Sequence, residues 1–186
     1  GAVTTLGWSA ADGARSLIAG KARKAGACSS PHLATSDFKA FEIPYGGNPV
    51  EKSFAMLDSS IAEAVDRAKL SKDELRECCL LVGTTGGLFI RNEFEFTESV
   101  RLHPGQASPP ISCRNRGPGE VAQYIAEKYG LEGDVFTFSM ACVSSSHALV
   151  AAAMLLEQKK ARRAMVVGFE PLLNMTLHGF ASLLLY

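Results

Sequence analysis

One of the five cysteines stands where a thiol can do chemistry. Cys142 follows an apolar run, Val135 to Met140, and precedes a helix-forming stretch, Val143 to Lys160. A side chain on such a strand-to-helix turn sits near the positive end of the helix dipole. That environment favours the thiolate, the nucleophilic form of cysteine. The first N–H groups of a helix have no intrahelical acceptor and can steady an oxyanion. Ser144, Ser145 and Ser146 are small and leave room for a substrate to approach the sulfur. A cysteine at a strand end also reads as a small buried apolar side chain, and this pattern by itself leaves both readings open.

The other candidates are weaker. Cys78 and Cys79 lie in an apolar run and read as strand residues, while Cys28 and Cys113 lie in polar loop sequence. The odd count, with no CxxC or Cys/His pair at zinc spacing, fits reduced thiols in a cytoplasmic protein and implies no metal. His147 sits about one turn into the helix after Cys142, where a structural hydrogen bond is expected. His32 and His103 read as solvated loop residues. The turn Gly83-Thr84-Thr85-Gly86-Gly87 lacks the lysine of a phosphate loop and the GxGxxG spacing. Its glycines are expected to allow backbones to approach closely.

The elements around Cys142 alternate. Strands are expected at Cys78–Val82, Val135–Met140 and Arg163–Gly168, and helices at 50–69, 119–129 and 143–160. That order predicts an α/β layered fold with a largely parallel or mixed sheet. Phe54, Leu57, Ile61, Val65 and Ala68 recur at helical spacing. Ser9 is placed to cap a helix over 10–19, and Ser71 with Glu74 forms a capping box. Gly130 is a helix stop. The helix after Cys142 is so rich in small residues that close packing on several sides is expected. A strand tail at 2–6, a strand at 41–44 and a long irregular stretch from Leu88 to Pro118 complete the expectation.

Composition sets the outer limits. The chain has 186 residues, enough for one domain over 1–186, with 47% hydrophobic and 20% charged residues. Nineteen basic and nineteen acidic side chains cancel, which argues against nucleic acid held by bulk charge. The longest apolar stretch, Ala148 to Leu156, is far short of a membrane span, and the start has no secretory pattern. Gly1 in place of a starting methionine, with an apolar end at 181–186, leads to the expectation of a piece of something longer.

A resemblance sharpens the reading. The segment Ser139-Met-Ala-Cys-Val-Ser-Ser-Ser-His-Ala-Leu149 resembles the nucleophile region of β-ketoacyl-acyl-carrier-protein synthases, in the thiolase-fold superfamily. That pattern is approximately Thr-Ala-Cys-Ala-Ser-Gly-x-His-Ala-Ile, matched at Ala141, Cys142, Ser144, His147 and Ala148. Tyr129-Gly130-Leu131 with Gly133, Val167-Gly168-Phe169-Glu170, Gly179-Phe180, Val82-Gly83-Thr84 with Gly86-Gly87, and Val3-Thr4-Thr5-Leu6-Gly7 resemble other family segments in order. Two positions depart: Ser145 stands where glycine is usual and Met140 where threonine or alanine is usual. Either change is expected to narrow the pocket or alter substrate preference.

The resemblance implies the N-terminal half of a layered α-β-α thiolase-like fold. It implies acylation of Cys142 and then decarboxylative condensation with a malonyl carrier protein, in fatty acid or polyketide biosynthesis, with no cofactor. The family's second half supplies two histidines, or a histidine and an asparagine, and a lysine. None is present in this chain, since His178-Gly179-Phe180 belongs to the Gly-Phe segment. The chain alone is therefore expected to be nearly inactive in condensation. The implied partners are an acidic acyl carrier protein, met by Lys52 or by Lys21, Arg23 and Lys24, and a second ketosynthase-like subunit, as homodimer or heterodimer. Val135, Phe136 and Phe138 suit such a dimer interface and equally suit an ordinary core. The rival readings are a non-catalytic subunit of the chain-length-factor type and a cysteine hydrolase of another fold, for which no general-base histidine is convincingly placed.

Overall fold

The computed structural model describes residues 1–21, 26–27, 39–43, 45–106 and 117–185. The chain divides into two compact units. One comprises Ala68–Asn92 and Ser112–Pro171; the other comprises Gly1–Arg67, Glu93–Ile111 and Leu172–Tyr186.

The unit that holds Cys142 is built on a three-stranded parallel sheet. Its strands are β3 (Cys79–Gly83), β4 (Val135–Phe138) and β5 (Ala164–Gly168), in the order β4-β3-β5. In register, Leu81 pairs with Phe136 and Val166, and Gly83 with Phe138 and Gly168. β3 is central and wholly buried, which explains why it reads as an unbroken apolar run. Side chains alternate across a strand. Cys79 and Leu81 therefore share one face, where they meet Ala148 and Ala152 of α6 (Ser144–Glu157). The small side chains of α6 let it lie close to the sheet. α5 (Gly119–Tyr129) packs on β4 and β3 and ends at Gly130 with φ 64°, the left-handed cap expected of glycine. α3 (Lys72–Arg76) opens with the expected Ser71–Glu74 capping box, and Glu74 also pairs with Arg163.

α6 is not closed in on every side. Ser144, Ala148 and Ala152 are buried, yet Leu149 is 62% exposed, with Val150, Met154 and Leu156 also exposed. Among the described residues the small side chains of α6 serve one close contact, with the sheet. β4 is an outer strand with Val135 43% and Phe136 40% exposed, and no strand among the described residues pairs with its far edge. Leu81, Phe136, Phe138, Ala151, Met154 and Leu155 line an open apolar groove between α6 and β4.

In the other unit, α1 (Ala10–Ile18) is capped by Ser9, whose Oγ accepts from Asp12 N. α2 (Pro49–Ala68) buries Leu57 and Ile61, in line with the helical period. β1 (Gly26–Ala27) and β2 (Lys39–Ala40) form a two-stranded antiparallel ladder. α7 (Asn174–Ser182) also belongs to this unit.

Three expectations need correction. Residues 2–6 are not a strand tail: Thr4 and Gly7 bond each other in a tight turn. The strand expected at 41–44 falls instead at β2, while 41–43 have no regular structure and Pro44 lies outside the described residues. The stretch from Leu88 to Pro118 contains α4 (Phe89–Leu102), a fourteen-residue helix. All four prolines of that stretch lie beyond it, at 104, 109, 110 and 118, so no breaker interrupts the helical part.

Candidate active site

Parallel strands that end side by side leave a crevice at their carboxyl ends, where ligands of α/β folds commonly bind. Here those ends are Gly83, Phe138 and Gly168. Cys142 lies just beyond Phe138, the end of the outer strand β4. Ala141–Val143 form a single 3₁₀ turn that leads directly into α6, and the Cys142 side chain is exposed. The expected sequence of strand, turn and helix is therefore present, and the thiol is not sealed among aliphatic side chains.

The turn is sharp. Ala141 has φ 50°, a left-handed conformation that costs a residue with a β-carbon about 1–3 kcal/mol. Hydroxyls and main chain hold it there. Ser144, buried, accepts from Met140 N at 2.8 Å and donates to Ala141 O at 2.7 Å through the same Oγ. Thr85 Oγ1 donates to Ala141 O at 3.2 Å. Val143 N donates to Met140 O. The carbonyl of the peptide before the cysteine is thus held by two hydroxyls.

Glycines let the parts meet. A β-carbon on Gly83 would collide with the main chain of Ser144 and Ser145, at 2.5–2.6 Å. One on Gly87, which has φ 50°, would lie 2.8 Å from Pro118 Cα. Gly83 and Gly87 of this turn serve close backbone approach, as expected. The same turn is tied across the sheet by Glu170, beyond the end of β5. Its two carboxylate oxygens accept from Thr85 N at 2.8 Å and Gly86 N at 3.0 Å. Sequence reasoning recognised Glu170 only as part of a motif. Its role depends on a contact 85 residues away along the chain, which no local pattern reveals.

The remaining candidates separate from this site. Cys78 and Cys79 are buried, and burial pushes both thiols up from the ordinary cysteine value. His147 is exposed and donates from Nδ1 to Val143 O at 3.1 Å, the structural bond expected within its own helix. His103 is exposed and its Nδ1 donates to Ser99 O. Lys52 is not a free cation for an acidic partner: its Nζ lies 3.1 Å from Glu42, with both side chains mostly buried. Lys21 is exposed, while Arg23, Lys24, Cys28, His32 and Cys113 lie outside the described residues. Among the described residues no group of His, Cys, Asp or Glu could hold a metal ion, and no helix is long and apolar enough to cross a membrane.

With that geometry in place, comparison with known proteins is informative. The family described as "Beta-ketoacyl synthase, N-terminal domain" matches residues 4–185. Among solved structures the chain is similar to the ketosynthase ApeO of Xenorhabdus doucetiae, solved in complex with its chain length factor ApeC. The TM-score is 0.65 at 22% identity, over 97% of this chain and 48% of that one. At that identity the likeness shows the fold, and the chain spans about half the length of the ketosynthase it matches. A search of curated proteins gives no match.

Proposed function

Since the chain belongs to the β-ketoacyl synthase N-terminal domain family, we propose that it carries the acyl-accepting cysteine of a β-ketoacyl-acyl-carrier-protein synthase, and that Cys142 is this cysteine. The observation that carries the reading is an exposed thiol on a hydroxyl-braced turn at the strand ends, directly before a helix.

The chemistry follows from the placement. Cys142 Sγ attacks the carbonyl carbon of an acyl thioester on the phosphopantetheine of a carrier protein. The carbonyl oxygen takes the displaced electron pair. Collapse breaks the bond to the pantetheine sulfur, which leaves as a thiol with the proton given up by the cysteine. One difficult condensation is thereby split into two easier steps. The Cys142 N–H, at the start of the turn, is one donor for the oxyanion. In the second step a malonyl unit loses carbon dioxide and its enolate attacks the acyl-enzyme. The histidines that the family uses for that step are not in this chain. We expect the chain alone to accept an acyl group and to show almost no condensation.

The proposed partners are an acyl carrier protein and a second ketosynthase-like subunit. Support for the second comes from the surface beside the site. Val135 and Phe136 are exposed on an outer strand whose far edge no strand among the described residues pairs with, and such an edge calls for covering. A non-catalytic subunit of the chain-length-factor type is the second reading, favoured by the same open edge and disfavoured by the exposed Cys142.

Incubation of the purified chain with an acyl thioester, followed by peptide mass mapping, tests the proposal. Acyl mass on Cys142, absent in Cys142→Ser, is the expected result. An unmodified Cys142 that iodoacetamide nevertheless reaches would leave the non-catalytic reading. Steady condensation by the chain alone would refute the expected dependence on residues it lacks.

A further inference from the structure

The Ala141–Cys142 peptide has its carbonyl end tied down. Ala141 O accepts from Ser144 Oγ at 2.7 Å and from Thr85 Oγ1 at 3.2 Å. Thr85 is in turn held by its main chain, because Glu170 accepts from Thr85 N at 2.8 Å and from Gly86 N at 3.0 Å. The peptide is trans, like every described one. A trans peptide carries its C=O and N–H on opposite edges. Drawing the carbonyl toward Thr85 and Ser144 therefore turns the Cys142 N–H away from them. As a donor in the first turn, that N–H has no intrahelical acceptor.

We propose that Thr85 and Glu170 are positioning residues that aim the Cys142 N–H at the oxyanion formed during acylation. The proposal rests on the reading of Cys142 as the acyl acceptor. The two Glu170 carboxylate oxygens accept from the Thr85 and Gly86 N–H groups. Glu170 acts through Thr85, and Thr85 acts through the Ala141 carbonyl. Both Thr85 and Glu170 are exposed, so their value is not in filling the core. Ser144 bonds the same carbonyl but is buried and also braces Met140 N, so its removal would mix positioning with packing.

Two reactions of one sulfur separate positioning from general damage. Thioester attack builds negative charge on a carbonyl oxygen. Iodoacetamide alkylation displaces iodide at a tetrahedral carbon and builds none. Both are measured on the 186-residue chain, with the octanoyl thioester of N-acetylcysteamine as acyl donor. Mass spectrometry reads the rate at Cys142.

Thr85→Val keeps the shape of the side chain and removes the hydroxyl. It is expected to slow acylation by about tenfold or more, since loss of a whole oxyanion donor costs on the order of 10²–10³. Alkylation by the same variant should be unchanged. Thr85→Ser should restore acylation, and Glu170→Gln should slow acylation alone. Equal slowing of both reactions, or no slowing of acylation, would overturn the proposal while Cys142 stands as the acceptor. A wild-type chain that is alkylated but never acylated at Cys142 would remove the acceptor reading itself, and the proposal with it.

Discussion

Gly83 and Ser145 are in contact through their main chains: a β-carbon on Gly83 would lie 2.5 Å from Ser145 Cα. The end of the central strand and the first turn of α6 are therefore seated as closely as two backbones allow. Gly168, at the end of β5, faces the same residue differently. A β-carbon there would lie 2.7 Å from Ser145 Oγ, the far end of a short side chain.

The contrast gives a first prediction. Gly83→Ala forces α6 off the sheet and should destabilise the fold by about 1–3 kcal/mol, the usual cost of overpacking. Ser145→Gly should not rescue it, because the clash is with backbone. Gly168→Ala should be milder and should be largely rescued by Ser145→Gly. Urea midpoints of the four variants check this, and rescue of Gly83→Ala by Ser145→Gly would contradict it.

Glu63 predicts an acid-sensitive start of the chain. Its carboxylate accepts from Ala10 N with both oxygens and from Ala2 N, the former at the opening of α1. The Ala10 bond, then the Ala2 bond and the nearby positive charges, hold its pKa below the usual glutamate value of 4.5. A lowered folded pKa means that the unfolded chain binds the proton more readily. The stabilisation is thus full above about pH 4.5 and is lost as pH falls through the lower folded value. Glu63→Gln should flatten that part of the stability profile between pH 6 and the acid transition, read by urea unfolding at each pH. An unaltered profile would contradict it.

Glu93 predicts local order in α7. The N-cap position, Leu173, offers no side-chain bond, and the carboxylate of Glu93 on α4 supplies the acceptor instead, at 2.8 Å from Asn174 N and 2.9 Å from Met175 N. Glu93→Ala should cost about 1 kcal/mol, as loss of a helix cap does. Amide exchange should quicken over 174–182 and stay the same in β3. Uniform quickening throughout would point to a different role.

The three described thiols should separate by reactivity. Burial pushes Cys78 and Cys79 up, so their thiolates appear only at higher pH than an ordinary cysteine's. Between pH 7 and 8 iodoacetamide should label Cys142 in the native chain, and Cys78 and Cys79 only after denaturant is added. Tandem mass spectrometry of the labelled peptides decides the order. Native labelling of Cys79 at the rate of Cys142 would refute the packing of β3.

Much of the fold was written in short stretches of sequence. The Ser9 cap, the Ser71–Glu74 capping box, the Gly130 stop and the apolar run of β3 each depend on residues within a few positions of one another. The turn carrying Cys142 was legible for the same reason, since an apolar run followed at once by a helix former is a local signal. α4 was hidden because the prolines beyond it coloured the reading of the whole stretch from 88 to 118.

What tertiary structure alone decided is longer in range. The order β4-β3-β5 leaves Val135 and Phe136 exposed on an outer strand, and no pattern in a single strand states which neighbour it will have. Lys52 is bound by Glu42, although the family resemblance marked it as a cation for a carrier protein. The brace of Glu170, Thr85 and Ala141 joins three strand ends distant in sequence. Hydrogen bonds of that kind carry no periodicity, and they exist only once the parallel strands have brought their carboxyl ends together. Sequence marked a candidate sulfur and its turn; the fold set which groups hold the peptide beside it.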